Sequence, residues 1–267
     1  MTISALIFDV DGTLADTEEV HRRSFNTAFQ RAGLDWAWSR EQYRDLLKIA
    51  GGKERIASYI ESIDIHDVER KSLHARIAEL HAEKTRIYSS IVAAGRVRLR
   101  DGVARLLKEA REAGCHLAIA STTTAANVDA LLEATLGARG LEIFDVIACG
   151  DLVSTKKPAP DIYQLALHTL GVTPDEAIAF EDSVNGLRSA VDAGLWTVIT
   201  PTYWTEGGDF SEAALVMPHL GDPLQPLHGE PGGRLTRAAW LTMDELAERR
   251  TPPHAPDAVR ALYQGAS

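Results

Sequence analysis

Cysteine, positive charge and long apolar runs are all scarce in this sequence, and each scarcity argues against a class of protein or of binding partner. Cys115 and Cys149 are the only cysteines among 267 residues. Each lies in or beside an apolar, strand-like run, which favours two buried thiols in a cytosolic protein, with a single disulfide as the alternative. Lys and Arg number 28 against 38 Asp and Glu, for a formal net charge of -10. This balance argues against broad nucleic-acid binding and against adhesion to anionic membranes.

The sequence predicts neither a membrane-spanning segment nor a targeting segment. No apolar stretch approaches the roughly 20 residues that cross a bilayer. Residues 1–4 lead directly into the first strand-like run, which leaves no room for a signal or transit peptide. The sequence also has no internal repeat. We therefore predict a cytoplasmic globular protein, long enough for one large domain or two smaller ones.

The stretch ALIFDVDGTL, residues 5–14, carries the strongest chemical signal. Its first four residues have the length and continuous apolarity of a strand buried on both faces of a parallel sheet. Asp9 and Asp11 follow that strand. Residues two apart on an extended chain project to the same side, so both carboxylates are expected to face the ligand-binding edge of the sheet. Two like charges this close need a cation or a shared proton.

Three interpretations fit these two carboxylates on their own. Asp9 could cap a helix beside an ordinary Asp-Gly turn, which is common. The pair could instead form a site that only binds a metal. The third interpretation is a carboxylate nucleophile beside an acid/base, with a magnesium ion between protein and substrate.

Helical periodicity replaces strand periodicity from residue 16 to about residue 90. Apolar residues recur at helical spacing there, for example at Phe25, Ala28, Phe29 and Ala32. One long charged helix is predicted from residue 68 to about residue 90. Because this all-helical stretch directly follows the DxDGT turn, we predict an inserted helical cap domain over residues 16–91.

Strands and helices alternate after residue 92. Strand-like runs are predicted at residues 116–120, 144–149, 177–180 and 196–200. Alternation of this kind predicts an α/β fold, a doubly wound parallel sheet of the Rossmann type, formed by residues 1–15 and 92–225. Residues 226–267 are rich in Pro and Gly, and we predict a loosely packed C-terminal extension with one short helix at 243–249.

Polar side chains follow the later strands as they follow the first. Ser121 and Thr122 come after the second strand, Lys157 after the third, and Glu181 and Asp182 after the fourth. Each has an ordinary explanation as a helix cap, a solvated lysine or an acidic helix start. The carboxyl ends of parallel strands share one edge of the sheet, so together the four sets predict a single site.

This ordered set resembles the four motifs of the haloacid-dehalogenase superfamily of phosphatases, over roughly residues 3–200. The resemblance selects the third interpretation of the carboxylate pair. It implies that Asp9 is the nucleophile and Asp11 the general acid/base. It also implies that Ser121, with Thr122 beside it, binds the transferring phosphoryl group. Lys157, which immediately precedes a proline as in the family's Lys-Pro motif, would stabilise the charge of that group.

The same resemblance implies a Mg²⁺ cofactor. Asp9 and Asp182 would hold the ion through their carboxylates, and Asp11 through its main-chain carbonyl. Glu181 would support the metal site.

The helical insert resembles the subgroup that includes β-phosphoglucomutase and many sugar phosphatases. Within it, residues 16–21, 51–55 and 200–210 are similar to the CbbY branch, phosphatases associated with Rubisco and the Calvin cycle that act on xylulose-1,5-bisphosphate. A small phosphosugar is therefore the expected partner. Two rival functions remain: a sugar phosphomutase, and a non-catalytic phosphosugar-binding module on the same fold.

The cap is expected to supply the substrate contacts. A bisphosphate needs cations for its second phosphate, and Lys53 and Arg55 on the Gly-Gly segment of the cap are the candidates. The alternative is that both are solvated residues at a helix start. Glu18 and His21 lie one helical turn apart and are candidates to hold sugar hydroxyls.

Overall fold

The structure is a computed structural model, and it describes residues 3–150, 152–227 and 239–250. The strands in this part of the chain are β1 (Ala5–Phe8), β2 (His116–Ser121), β3 (Val146–Cys149), β4 (Ala177–Glu181), β5 (Trp196–Ile199) and β6 (Leu215–Val216). All pair in parallel, in the order β3-β2-β1-β4-β5-β6. The predicted doubly wound parallel sheet is confirmed.

The central strand β1 is apolar throughout because both of its faces are buried. Successive side chains of a strand point to opposite faces. Leu6 and Phe8 accordingly belong to the hydrophobic cluster on one face of the sheet, and Ala5 and Ile7 to the cluster on the other. Helices cover both faces, so β1 carries no polar position until Asp9 leaves the sheet.

The helices fall into two groups along the chain. The first group follows β1 and comprises α1 (Glu18–Arg31), α2 (Arg40–Leu46), α3 (Gly52–Ser62), α4 (Asp67–Ala75) and α5 (Ile77–Ala93). The second group accompanies the later strands and comprises α6 (Val103–Glu112), α7 (Ala125–Leu136), α8 (Asp161–Leu170), α9 (Val184–Asp192) and α10 (Met243–Arg250). None of the helices in the described ranges is long and apolar enough to cross a membrane.

The cap, helices α1–α5, has a hydrophobic core of its own that is rich in aromatic side chains. Phe25, Trp38 and Tyr43 are fully buried in it. Trp204, from the segment after β5, is buried in the same cluster. The cap core is therefore completed by a side chain from the sheet domain.

Some predicted boundaries are wrong. The single helix expected over 68–90 is two helices that meet at Arg76, whose guanidinium donates to the Ala32 carbonyl at 3.0 Å and so ties the break to α1. The third strand begins at Val146, because a 3-10 turn over Gly140–Ile143 precedes it. The two-residue strand β6 was not predicted, since two residues carry no periodicity.

The predicted loose C-terminal extension is only partly within the described residues. Leu241 and Leu246 are fully buried in the main core, and α10 contains the predicted short helix. Arg105 of α6 donates to the Leu241 carbonyl at 2.6 Å. Residues 239–250 are thus part of the packed core, whereas 228–238 and 251–267 lie outside the described residues. Cys115 and Cys149 are free, buried thiols.

Candidate active site

The carboxyl end of β1 places Asp9 at the centre of the site. The Asp9 N–H donates to the Phe180 carbonyl at 3.0 Å, which continues the pairing with β4. The chain then turns sharply at Gly12, whose φ of 90° is in the left-handed region. A Cβ at Gly12 would overlap the carboxylate of Asp182. Glycine at this position lets the DxDGT turn close directly over the end of β4.

Lys157 is buried at the same edge and binds three oxygens. Its Nζ donates to Asp9 Oδ1 at 2.7 Å, to the Ala120 carbonyl at 2.8 Å and to Glu181 Oε1 at 2.5 Å. Burial alone would lower the lysine pKa, but the carboxylates of Asp9 and Glu181 raise it above its usual value. Lys157 is therefore a fixed positive charge beside Asp9.

Three buried carboxylates form a cluster that suits a metal ion. Asp9, Glu181 and Asp182 each offer an oxygen within 4.8 Å of the others. Burial raises the pKa of Asp9 to about 8, against the charge of Lys157. Burial, with the neighbouring charges of Asp9 and Glu181, raises the pKa of Asp182 well above its usual value. Such crowding favours a cation, and carboxylate oxygens are the ligands that Mg²⁺ prefers. Three of the four predicted metal residues, Asp9, Glu181 and Asp182, thus fit the ion.

Within this cluster Glu181 has the most partners. Its Oε1 accepts from Lys157 and, at 2.7 Å, from the hydroxyl of Tyr163. Its carboxylate lies against Gly186, where a Cβ would overlap it. Glu181 therefore holds Lys157 in place, which agrees with a supporting role at the metal site.

Asp11 turns its side chain away from the metal cluster and toward the cap. Its Oδ1 accepts from the Thr17 hydroxyl at 2.5 Å and lies 2.8 Å from His21 Nε2. Burial alone would raise the pKa of Asp11, but His21 and Thr17 lower it below its usual value. Any metal contact of Asp11 is thereby left to its main-chain carbonyl.

His21 does not present a free ring edge to the cavity. Its Nδ1 lies 2.6 Å from Nζ of Lys84, and its ring stacks on Tyr88 with centroids 4.1 Å apart. Both ring nitrogens are engaged, one with Asp11 and one with Lys84. In this structure His21 therefore contacts Asp11 and Lys84, and its contact with sugar hydroxyls stays a prediction.

Hydroxyl groups line the site where β2 meets α7. Ser121 is buried at the strand end, and its Oγ accepts from the Thr123 N–H at 3.3 Å. Thr122 lies beside it on the cavity wall. Among the described residues, Thr124 Oγ1 and Asn127 Oδ1 are buried without a hydrogen-bond partner. The sequence did not suggest either residue, although Thr124 closes the run of hydroxyl residues 121–124 that begins with Ser121 and Thr122.

A cavity lies between this edge of the sheet and the cap. Glu18 and Lys53 line it from α1 and α3, as does His81 from α5. Burial and the surrounding lysines lower the pKa of His81 to about 3, so its imidazole is neutral. Glu18 Oε2 accepts from the Tyr43 hydroxyl at 2.8 Å.

Arg55 also lines the cavity, but its guanidinium is committed to the cap. Nε donates to the Leu46 carbonyl at 3.1 Å, Nη1 to the Tyr43 hydroxyl at 3.2 Å and Nη2 to the Ile49 carbonyl at 3.2 Å. Arg55 was a predicted cation for the second phosphate. In this structure its guanidinium instead binds α2 and the connection between α2 and α3. Lys53, the other predicted cation, lies in the first turn of α3 and lines the cavity.

Arg100, which the sequence did not suggest, ties the DxDGT turn to the end of β5. Nη1 donates to the Gly12 carbonyl and, at 2.5 Å, to the Thr200 carbonyl. Nη2 donates to the carbonyls of Pro201 at 3.1 Å and Pro218 at 2.7 Å. No local pattern marks such a residue, because its partners are a hundred positions away in the chain.

Comparison with known proteins agrees with this geometry. Residues 3–194 match the family model of haloacid dehalogenase-like hydrolases. The chain is 53% identical to the protein CbbY of Rhodobacter capsulatus over 220 residues, which are 82% of this chain and 95% of that one. It is 50% identical to the plasmid-encoded protein CbbY of Cupriavidus necator over 239 residues, 90% of this chain and 94% of that one.

A solved structure is similar as well. It is a mutant of CbbY from Rhodobacter sphaeroides in complex with xylulose-1,5-bisphosphate, 47% identical, with a TM-score of 0.76 over 82% of this chain and 95% of that one. The predicted family and its CbbY branch are thereby confirmed. The chain is an enzyme of the haloacid dehalogenase-like hydrolase family and belongs, within it, to the CbbY proteins.

Proposed function

We propose that the protein is a Mg²⁺-dependent phosphatase that hydrolyses a sugar bisphosphate, with xylulose-1,5-bisphosphate as the preferred substrate, in the cytoplasm. One observation carries the proposal: Asp9 pairs with the buried Lys157 and belongs to a cluster of three carboxylates, on a cavity that Lys53 of the cap also lines. The complex of the Rhodobacter sphaeroides relative with that bisphosphate supports the choice of substrate.

The first chemical step is assigned to Asp9 and Asp11. A carboxylate oxygen of Asp9 attacks the phosphorus, the bond from phosphorus to the sugar oxygen breaks, and Asp11 donates a proton to that oxygen. Lys157 holds Asp9 Oδ1 at 2.7 Å and offsets the charge of the incoming phosphoryl group. The buried Ser121 hydroxyl is placed to bind a phosphoryl oxygen.

The second step returns Asp9 to its starting form. Asp11 accepts a proton from a water molecule, whose oxygen attacks the phosphorus while the bond to Asp9 breaks. Asp11 thereby regains the proton that it gives to the sugar oxygen in the first step. Bound Mg²⁺, held by Asp9, Asp182 and the Asp11 carbonyl, would neutralise negative charge on the reacting group.

The second phosphate of the substrate is assigned to the cap side of the cavity. Lys53 supplies a positive charge there. The Thr124 hydroxyl, without a hydrogen-bond partner at the start of α7, is a donor on the facing sheet side. The unpaired Asn127 Oδ1 is an acceptor for a sugar hydroxyl. Arg55 acts indirectly, because it fixes the Tyr43 hydroxyl that binds Glu18.

A panel of sugar mono- and bisphosphates tests the proposal. Phosphate release should require Mg²⁺, stop on chelation, and be fastest with xylulose-1,5-bisphosphate. Conversion of one phosphosugar into its isomer without phosphate release would show a phosphomutase instead. Binding of the sugar phosphates with neither reaction would show a binding module.

A further inference from the structure

Trp204 lies in the sheet domain by sequence and in the cap by packing. It follows β5, yet only 3% of its surface is exposed and its ring is part of the aromatic core of the cap. The ring meets Tyr43 of α2 edge to face, with centroids 5.6 Å apart and an interplanar angle of 89°. The Arg40 guanidinium lies over the same ring, 5.2 Å from its centroid.

Thr205, the neighbour of Trp204, binds the carboxylate cluster. Thr205 Oγ1 donates to Asp182 Oδ2 at 3.2 Å and accepts from the Thr202 N–H at 2.9 Å. The Glu206 N–H donates to the Thr202 carbonyl at 2.8 Å. The turn 202–206 is therefore closed by its own hydrogen bonds, and a shift of Trp204 is transmitted to Thr205.

On the cap side, Tyr43 connects Trp204 to residues that line the cavity. The Tyr43 hydroxyl donates to Glu18 and accepts from Arg55. Arg44, next to Tyr43, donates to the Glu206 carbonyl. The turn 202–206 thus contacts α2 through the buried Trp204 ring and, at the rim, through the Arg44 hydrogen bond and the guanidinium groups of Arg40 and Arg44 over the Tyr203 ring.

We propose that Trp204 is a positioning residue: its ring, seated against Tyr43, couples the closed position of the cap to the orientation of the Asp182 carboxylate. This rests on the proposed function for the nature of the substrate. A cap that opens must either carry the turn 202–206 with it, which draws Thr205 from Asp182, or pull away from the ring. Closure therefore completes the substrate cavity and the metal cluster in one movement.

Trp204→Ala tests the coupling, with Trp36→Ala as a matched control. Trp36 packs on Phe29 and Tyr59, all within the cap, so its loss disturbs the same aromatic core without touching the turn 202–206. Without the Trp204 ring the closed cap should be less populated, and the substrate binds to the closed cap. Trp204→Ala should therefore raise KM for the sugar bisphosphate about tenfold or more. Hydrolysis of a small aryl phosphate at saturating Mg²⁺ should change less than about threefold, since it needs no cap contact.

Two readouts do not depend on turnover. Hydrogen–deuterium exchange in α2 should become faster in Trp204→Ala and stay unchanged there in Trp36→Ala. Titration calorimetry with Mg²⁺ alone should show weaker binding to Trp204→Ala. Trp204→Phe should restore most of both. Near-normal hydrolysis of the aryl phosphate by Trp204→Ala shows that the alanine variant is folded.

Thr205→Val separates the contact of Trp204 with the cap from the hydrogen bond between Thr205 and Asp182. It keeps the ring in place and removes the donor to Asp182, so Mg²⁺ binding should weaken while exchange in α2 stays normal. The proposal is overturned if Trp204→Ala and Trp36→Ala match in KM, in exchange and in Mg²⁺ affinity. If the unmodified enzyme hydrolyses no sugar bisphosphate, the proposed function fails, while exchange and calorimetry still decide the role of Trp204.

Discussion

The two walls of the cavity are built on different principles. On the sheet side, Asp9, Ser121 and Asp182 stand at the ends of β1, β2 and β4, so strand pairing alone brings them together. On the cap side, side chains hold side chains: Arg55 is fixed by Tyr43 and two carbonyls. A substitution on the sheet side should therefore change chemistry without moving its neighbours. A substitution on the cap side should move them.

The two buried lysines show the same contrast in electrostatic terms. Lys157 has two carboxylates within hydrogen-bond distance, and they raise its pKa despite burial. Lys84 in α5 has His21 and two aromatic rings around it, and burial lowers its pKa to about 8. The charge on the sheet side is permanent, whereas the charge on the cap side can be removed by moderate alkali.

The largest effect is expected on the sheet side, for Asp9→Asn. An amide is not a nucleophile, so phosphate release should fall at least about 10⁴-fold while the far-ultraviolet circular dichroism stays unchanged. Steady-state assays with the sugar bisphosphate measure this. Asp67→Asn, at an exposed cap position, is the control and should retain activity. Residual turnover above about one percent would contradict covalent catalysis by Asp9.

Asp11→Asn should have the next largest effect. Loss of the general acid/base is expected to slow sugar bisphosphate turnover by roughly 10²–10⁴-fold. Mg²⁺ binding, measured by calorimetry, should persist because the side chain points to Thr17 and His21. Formation of the phosphorylated enzyme from an aryl phosphate with a good leaving group should be slowed less. An unchanged rate with the sugar substrate would remove Asp11 from this role.

Lys84→Met tests whether the buried Lys84, unlike Lys157, loses its charge in moderate alkali. The folded-state pKa of about 8 lies below the ordinary value of 10.5, so between these values the unfolded chain binds more protons. Stability contributed by this group therefore rises with pH through that window. Between pH 8 and about pH 9.5 the free energy of unfolding should rise by about 2 kcal/mol more in the unmodified protein than in Lys84→Met.

Urea unfolding at the two pH values measures this difference. Lys108→Met removes an exposed lysine of α6 and should leave the pH dependence as it is. If Lys84→Met and the unmodified protein show parallel curves, Lys84 is not deprotonated in this range.

The smallest effect is expected for Lys53→Ala. Loss of one cation should raise KM for xylulose-1,5-bisphosphate about tenfold and change KM for a sugar monophosphate much less. Lys71→Ala, at an exposed position of α4, is the matched control. An unaltered ratio of bisphosphate to monophosphate efficiency would exclude Lys53 from the second phosphate.

The same contrast explains what the sequence could predict. Asp9, Ser121, Lys157 and Asp182 follow strand-like runs, and the shared edge of a parallel sheet makes their meeting predictable from order alone. The partners of Arg55 were not predictable, because Tyr43 reaches it through the packing of α2 on α3. His21 and Lys84 are 63 positions apart, and no spacing rule joins them. Trp204 lies in the segment 200–210 that resembles the CbbY branch, but nothing in the sequence predicted that its ring packs in the cap.

The position of β1 has a consequence for biosynthesis. It is made first, yet it is central: Ala5 pairs with His116 on one side and with Ala177 on the other. At roughly 5–20 residues per second, translation leaves Asp9 without β4 for roughly 10–35 s. During that time the cap helices α1–α5 can begin to pack through their aromatic core, because their contacts are local, but Trp204, which completes that core, is not yet made. The nascent chain thus displays Asp9, the proposed nucleophile, before Lys157 and Asp182 exist, and the proposed chemistry can begin only when the fourth strand has left the ribosome.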